Sequence, residues 1–240
     1  MRRLLIVILL LMLGLSACSR NKTQLSTEAR LKAADELFAK GKYARAALIY
    51  DEISFERKSA ATAYATLKQA DCYFEINKFA DAQAKYEQFI ESFPDHADTG
   101  TAYYKVGVCL FEQSLSPHYD QTETISSIEA FRVFIDKYPA DSRYEDALGY
   151  IRKAQYKLLE KSYLNGYISY KMKDYSAALM YFDEITGLSN TDELDRKSLY
   201  YSAKLHLHQK NNELAKLSYD NLLAKYPDSK EAKRLSRRFK

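Results

Sequence analysis

The sequence predicts an all-α protein built as an array of helix pairs, and three observations carry that reading. Turn-forming residues are scarce, with 7 Gly and 4 Pro in 240 residues, against an ordinary combined share of about 12%. Three of the four prolines follow an aromatic residue: Phe93-Pro94, Tyr138-Pro139 and Tyr226-Pro227. The stretches before them align with one another. Tyr86, Phe89, Ile90 and Phe93 correspond to Phe131, Phe134, Ile135 and Tyr138, and to Tyr219, Leu222, Leu223 and Tyr226. That spacing puts each set on one face of a helix. The composition is globular, with 47% hydrophobic and 28% charged residues, 21 Tyr and no Trp. The length suits one large domain or two small ones.

The N-terminus is expected to lie outside the fold. Arg2 and Arg3 precede an apolar run from Leu4 to Leu15, shorter than the roughly 20 residues a bilayer span needs. A basic start with a short apolar core reads as a secretory signal, here residues 1–17. Its end, Leu15-Ser16-Ala17-Cys18, resembles the lipobox of bacterial lipoproteins. The resemblance implies cleavage before Cys18, acylation of that residue and attachment to a membrane through a lipid anchor. Several acyl chains hold a protein stably where one does not. Residues 18–25 form the lipidated end and a short polar tether.

The formal charge is +4, and loss of Arg2 and Arg3 with the leader brings it nearer balance. Neither that charge nor secretion suggests a nucleic-acid partner. Cys72 and Cys109 fall at the same position of adjacent repeats, about a helix diameter apart, beyond the roughly 7 Å a disulfide tolerates. Both are expected as buried core thiols.

Residues 26–240 read as one repeat domain. Its segments resemble the tetratricopeptide repeat, a helix–turn–helix of about 34 residues with small residues near positions 8 and 20 and Pro near 32. The resemblance implies a right-handed α-solenoid of about five helix pairs, each burying its remaining face on its neighbours. Repeat 1 spans about 27–60, with Ala34, Gly41, Ala46 and Tyr50. Repeat 2 spans 63–96, with Ala70, Ala82, Tyr86 and Pro94. Repeat 3 spans 100–141 and carries an insertion between Gly107 and Pro139. Repeat 4 spans 159–190, with Gly166, Ala178 and Phe182, behind a Pro-free stretch from Arg143 to Lys173 expected as one long helix. Repeat 5 spans 196–229, with Ala203, Ala215, Tyr219 and Pro227, and a capping helix follows from Ser229.

The insertion in repeat 3 reads Ser116-Pro117-His118-Tyr119-Asp120-Gln121-Thr122-Glu123-Thr124. Asp120 and Glu123 have the spacing of an N-cap and its reciprocal partner. Together with Ala130-Phe131 and Tyr138-Pro139-Ala140-Asp141-Ser142, the insertion resembles the signature of the BamD/ComL family of outer-membrane assembly lipoproteins. That resemblance covers nearly the whole mature chain. It implies a non-enzymatic scaffold, lipid-anchored in the outer membrane and facing the periplasm. Its implied partners are a BamA-type β-barrel insertase, other assembly-complex lipoproteins and unfolded outer-membrane proteins. The alternative is a pilotin-like tetratricopeptide lipoprotein for secretin or pilus assembly.

Candidate binding residues follow from the repeat register. The inner face of each first helix carries Leu31, Asp35 and Phe38; Leu67, Asp71 and Phe74; Tyr104, Val108 and Phe111; Tyr163, Tyr167 and Tyr170. The rings either fill seams between repeats or form a stripe for an extended or helical peptide, since aromatics dominate binding hot spots. Lys68 and Lys105 are placed to meet a terminal carboxylate. The peptide- and partner-binding set is Phe38, Leu67, Lys68, Phe74, Tyr104, Lys105 and Phe111, with Asp120, Gln121 and Thr122 from the inserted loop.

No catalytic residue, metal site or cofactor is expected. His206 and His208 are two apart and do not share a helix face, and His206 reads as a satisfied core residue. No phosphate loop, Cys-x-x-Cys or nucleophile elbow is present. The C-terminal run Lys230, Lys233, Arg234, Arg237, Arg238 and Lys240 forms a basic end, either solvated or in contact with an acidic surface or anionic headgroups.

Overall fold

A computed structural model describes residues 25–239, so the leader and Cys18 lie outside the described residues. Eleven helices occur among them: α1 (Thr27–Ala39), α2 (Tyr43–Ser54), α3 (Ala60–Glu75), α4 (Phe79–Ser92), α5 (Thr99–Gln113), α6 (Thr122–Lys137), α7 (Tyr144–Lys171), α8 (Tyr175–Gly187), α9 (Glu193–His208), α10 (Asn212–Lys225) and α11 (Lys230–Leu235). They form an α-solenoid of tetratricopeptide helix pairs, as the sequence predicts. Each helix packs on the next in sequence. First helices of successive pairs also approach one another, α1 with α3, α5 with α7 and α7 with α9, whereas no second helix packs on the next second helix to the same extent. The first helices therefore line the inner face.

Small residues set the crossing of every pair. Ala34 and Ala46, Ala70 and Ala82, Ala203 and Ala215 are fully buried where their two helices meet. The third and fourth pairs use glycine. A Cβ on Gly107 would lie 2.8 Å from the Phe131 ring, and one on Gly166 would lie 2.9 Å from Phe182. Both rings are fully buried and have nowhere to retreat. The cores they close are shared between neighbours. Ala70 of α3, Tyr86 of α4 and Cys109 of α5 belong to one cluster, while Cys72 belongs to the previous one. The two thiols are free and buried, and burial pushes each up to about 12.

Four of the five turns inside pairs share one geometry. Three residues link the helices, and the middle one is left-handed: Gly41 (φ 69°), Asn77 (58°), Lys173 (65°) and Lys210 (60°). The next N–H then reaches back into the ended helix, as Lys42 N–H does to Leu37 O (2.9 Å) and Lys78 N–H to Tyr73 O (2.9 Å). This closes orphan carbonyls at the helix end. The third pair instead uses the whole segment 114–121. α7 runs unbroken for 28 residues, about 42 Å at the usual rise, and its C-terminal part serves as the first helix of the fourth pair. α11 starts at Ser229, whose side chain accepts from Ala232 N–H at 3.1 Å. No helix among the described residues is long and apolar enough to cross a membrane.

Candidate functional site

The inner face presents a ladder of rings, each beneath a lysine from the following first helix. Lys68 Nζ lies 4.6 Å from the Phe38 centroid, Lys105 Nζ 3.7 Å from Phe74 and Lys157 Nζ 4.9 Å from Phe111. An ammonium over a ring face is attracted by the ring quadrupole. The opposite flank of each ring packs edge-on against another aromatic: Phe38 on Tyr43 (5.1 Å), Phe74 on Phe79 (5.5 Å) and Phe111 on Tyr150 (5.1 Å). All three rings are half-buried. Each ring thus packs on an aromatic neighbour and also meets a lysine ammonium.

The three lysines differ in what else holds them. Lys68 also reaches Asp71 Oδ2 at 3.4 Å. Lys157 donates to Ser114 Oγ at 2.6 Å. Lys105 has no hydrogen-bonding or ion-pair partner among the described residues and rests on Phe74 alone.

The acidic members of this face are already engaged. Asp35 accepts from the Tyr50 hydroxyl (2.5 Å) and the Tyr64 hydroxyl (2.9 Å), and Asp71 accepts from Tyr86 (2.7 Å). Burial, with the neighbouring carboxylate, raises all three phenols: Tyr64 to about 12, Tyr50 and Tyr86 further. Leu67 is half-buried against the same core cluster as Phe74. Tyr104 sits among Phe131, Phe134 and Tyr150 with ring centroids 5.5–6.4 Å apart, beneath the Arg143 guanidinium at 5.5 Å. It fills a seam. Further along, Tyr167 and Tyr170 pack on Tyr201, with Tyr170 and Tyr201 centroids 4.9 Å apart, and Tyr163 stacks on Tyr167.

The inserted loop departs from the expected capping. Gln121, not Asp120, is the N-cap of α6, and it makes no side-chain cap bond. Asp120 instead accepts from Thr122 N–H at 2.9 Å, and no reciprocal bond from Glu123 forms. That contact and the Thr122 hydroxyl hold the Asp120 carboxyl below its ordinary range. Gln121 is only 7% exposed. Its amide donates to Ser116 O (2.9 Å), Tyr119 O (3.2 Å) and Asp120 O (3.0 Å), while its oxygen accepts from Thr124 (2.8 Å). Gln121 therefore staples the loop from inside, leaving Asp120 and Thr122 as the exposed pair. The loop leans on α7 through Lys157 and through Lys161, whose Nζ reaches His118 O at 3.4 Å.

Two charged side chains of the inner face were not visible as such in the sequence. Lys157 lies outside the repeat register, and only the path of α7 brings it to Phe111. Arg143 grips Asp141 with two bonds, Nε–Oδ1 at 2.8 Å and Nη2–Oδ2 at 2.6 Å, holding that carboxyl near 2. His206 is buried as expected, but its Nδ1 has no partner among the described residues, where the sequence predicts a satisfied core residue. No group of three His, Cys, Asp or Glu side chains suited to a metal occurs among the described residues.

Residues 19–185 match the family described as YfiO, outer membrane lipoprotein, and residues 197–229 match a tetratricopeptide repeat family. A protein of Rickettsia prowazekii (strain Madrid E), named outer membrane protein assembly factor BamD, is 26% identical over 195 residues, covering 81% of this chain and 78% of the relative. A protein of the same name from Caulobacter vibrioides is 30% identical over 71 residues, covering 30% of this chain and 23% of that relative. Among solved structures, the tetratricopeptide domain of P58(IPK) aligns with a TM-score of 0.44 at 15% identity, covering 89% of this chain and 64% of that one.

Proposed function

The chain belongs to the YfiO outer membrane lipoprotein family, and from that premise we propose that it is a non-catalytic scaffold subunit of the machinery that assembles β-barrels in the outer membrane. It is anchored by lipid on Cys18 after removal of residues 1–17, and its repeat domain, 26–240, faces the periplasm. Its partners are a BamA-type insertase, other lipoproteins of the complex and unfolded outer-membrane proteins. The names of the relatives support the assembly role. The observation that carries substrate binding is the ladder of half-buried rings under lysines, with Lys105 lacking a carboxylate partner among the described residues. An extended peptide ending in an aromatic residue would slide its ring against Phe74 and bring its carboxylate to Lys105.

Phe74 is the best probe because repeats flank it on both sides. Removing a hot-spot aromatic commonly costs about 2 kcal/mol of binding. Removing a fully buried Phe costs about 3–5 kcal/mol of stability instead. Phe74→Ala is expected to weaken binding of a β-barrel C-terminal peptide, read by fluorescence anisotropy, at least tenfold. Its melting temperature should fall by only a few degrees. Unchanged peptide affinity in the folded variant would remove substrate binding from this groove.

A further inference from the structure

A second concave site lies beyond the ladder, where α11 folds back across α9. It is a cavity of about 520 Å³. Lys204 and His208 of α9 face it from one side, and Arg234 and Arg238 from the other; Tyr200, Leu207 and Leu235 complete its wall. Among the described residues, no carboxylate lines it. The nearby acids are committed elsewhere. Glu231 Oε2 forms an ion pair with Arg196 Nε at 3.2 Å, and Asp228 lies 3.7 Å from Lys233. Among the described residues, neither Arg234 nor Arg238 has an ion-pair partner.

Lys204 is held in place without being neutralised. Its Nζ donates to the Tyr170 hydroxyl at 2.9 Å and sits 5.1–5.4 Å from the rings of Tyr170, Tyr200 and Tyr201. The three phenols orient the ammonium and leave its charge uncancelled. On the other side of His208, its ring packs against Tyr175 at 4.6 Å. Three cations and an imidazole thus converge on one concavity, with no anion among the described residues to balance them. Like charges held together repel, and an anion that enters relieves the repulsion.

We propose that this cavity binds a phosphate group borne on a small organic body. A lone carboxylate carries one charge on two oxygens. A phosphate offers three or four oxygens and up to two charges, and the guanidinium fork matches its geometry. The cavity is larger than a bare phosphate, and the Tyr200 ring with Leu207 and Leu235 supplies an apolar wall for the ester's remaining atoms. The site is independent of the ring ladder, so it stands or falls apart from peptide binding there.

The test is calorimetric titration of the full lipoprotein in non-ionic detergent at low salt, since screening weakens such contacts. The probes are inorganic phosphate, glycerol 3-phosphate, dihexanoyl phosphatidylglycerol and acetate. At least one phosphate-bearing probe should bind ten times more tightly than acetate. Arg234→Gln/Arg238→Gln should weaken that binding at least tenfold, and Lys204→Gln should weaken it independently. Tighter binding of either ester than of inorganic phosphate supports the site, with preference for the lipid identifying a headgroup and preference for glycerol 3-phosphate a soluble ester. Equal affinity for inorganic phosphate and the esters would show that the apolar wall takes no part and would overturn the proposal. Both arginines are exposed, so the double variant should keep the wild-type melting temperature. Absence of binding by every phosphate probe, equal binding of acetate, or full binding by the folded double variant would overturn the proposal.

Discussion

In the second helix pair, the crossing is closed by Ala70 and Ala82, and the Tyr86 hydroxyl donates to Asp71 at 2.7 Å. In the third pair, Gly107 and Ser127 stand at the equivalent positions, Val108 replaces the aspartate and a bare Phe131 ring replaces the tyrosine. The two rings are equally buried. A tyrosine needs an acceptor when it is buried, and Asp71 supplies one at the edge of the inner face. A phenylalanine needs none, and the glycine lets its ring approach the neighbouring helix more closely. Ser127 fills the remaining space and donates to Gly107 O at 3.2 Å. The turns follow the same division. The second pair turns through left-handed Asn77, and the third through a loop held by Gln121. One crossing is therefore held by a polar clasp, the other by close steric fit. The first pair repeats the clasp with Tyr50 and Asp35, and the fourth repeats the close fit with Phe182 and Gly166.

The close fit should be the easier of the two to break. Gly107→Val places three carbons where even one would lie 2.8 Å from Phe131. Overpacking of a buried site typically costs 1–3 kcal/mol, and the upper end, about 3 kcal/mol, is expected here. For a chain of this size that lowers the melting temperature by roughly 6–12 °C. Adding Phe131→Leu should recover part of the loss. A wild-type melt for Gly107→Val would show that the third crossing is loose.

Exchanging the two chemistries sharpens the comparison. Phe131→Tyr buries a hydroxyl with Val108 where the acceptor should be, and an unsatisfied buried donor costs about 2 kcal/mol. The double variant Val108→Asp/Phe131→Tyr rebuilds the clasp and should be more stable than Phe131→Tyr alone. If urea midpoints of the single and double variants coincide, position 108 does not face the ring edge as Asp71 faces Tyr86.

These alternatives were partly legible in the sequence. The small residues at each crossing, the aromatic ends of the second helices and the Pro-free span of α7 are local patterns, and they sufficed to place the helix pairs. Features that depend on distant chain segments were not legible. Lys157 covers Phe111 only because α7 passes over the end of α5, 46 positions away along the chain by the numbering. Gln121 binds backbone carbonyls, which carry no residue identity for a sequence pattern to detect. The spacing of Asp120 and Glu123 satisfied a capping motif, yet the helix begins one residue later and Asp120 closes a tighter turn. Lys173 and Lys210 occupy left-handed turns that only alignment with Gly41 would suggest.

Removing the clasp hydroxyl should be milder than burying a new one. Tyr86→Phe keeps the ring and leaves Asp71 its contact with Lys68 at 3.4 Å, so the loss is one hydrogen bond, about 1 kcal/mol near neutral pH. The equivalent loss from Tyr50→Phe should be similar, because Asp35 retains Tyr64. Equal stability of Tyr86→Phe and wild type at pH 7 would mean that the clasp contributes nothing to the second crossing.

The smallest effect is a dependence on alkaline pH that the clasp has and the close fit lacks. Burial first, and then the Asp71 charge and hydrogen bond, raise the Tyr86 phenol above its ordinary 10.0. In the unfolded chain the same phenol ionises near pH 10. A folded-state pKa above the unfolded one gives a contribution that is complete below the unfolded value and declines as pH rises beyond it. Wild type therefore loses stability above about pH 10 through Tyr86, because its unfolded state releases a proton that the folded state retains. Tyr86→Phe has no such proton to release. The ionisation of lysines and of every other tyrosine is common to both proteins and cancels in the difference. The gap of about 1 kcal/mol at pH 7 should thus narrow as urea midpoints are followed from about pH 9 to about pH 10.5. Phe131→Leu, which alters the close fit without touching a titrating group, should keep a constant gap over the same range. Parallel curves for wild type and Tyr86→Phe would mean that the Tyr86 hydroxyl titrates in the folded protein as it does in water, and so is not held by Asp71.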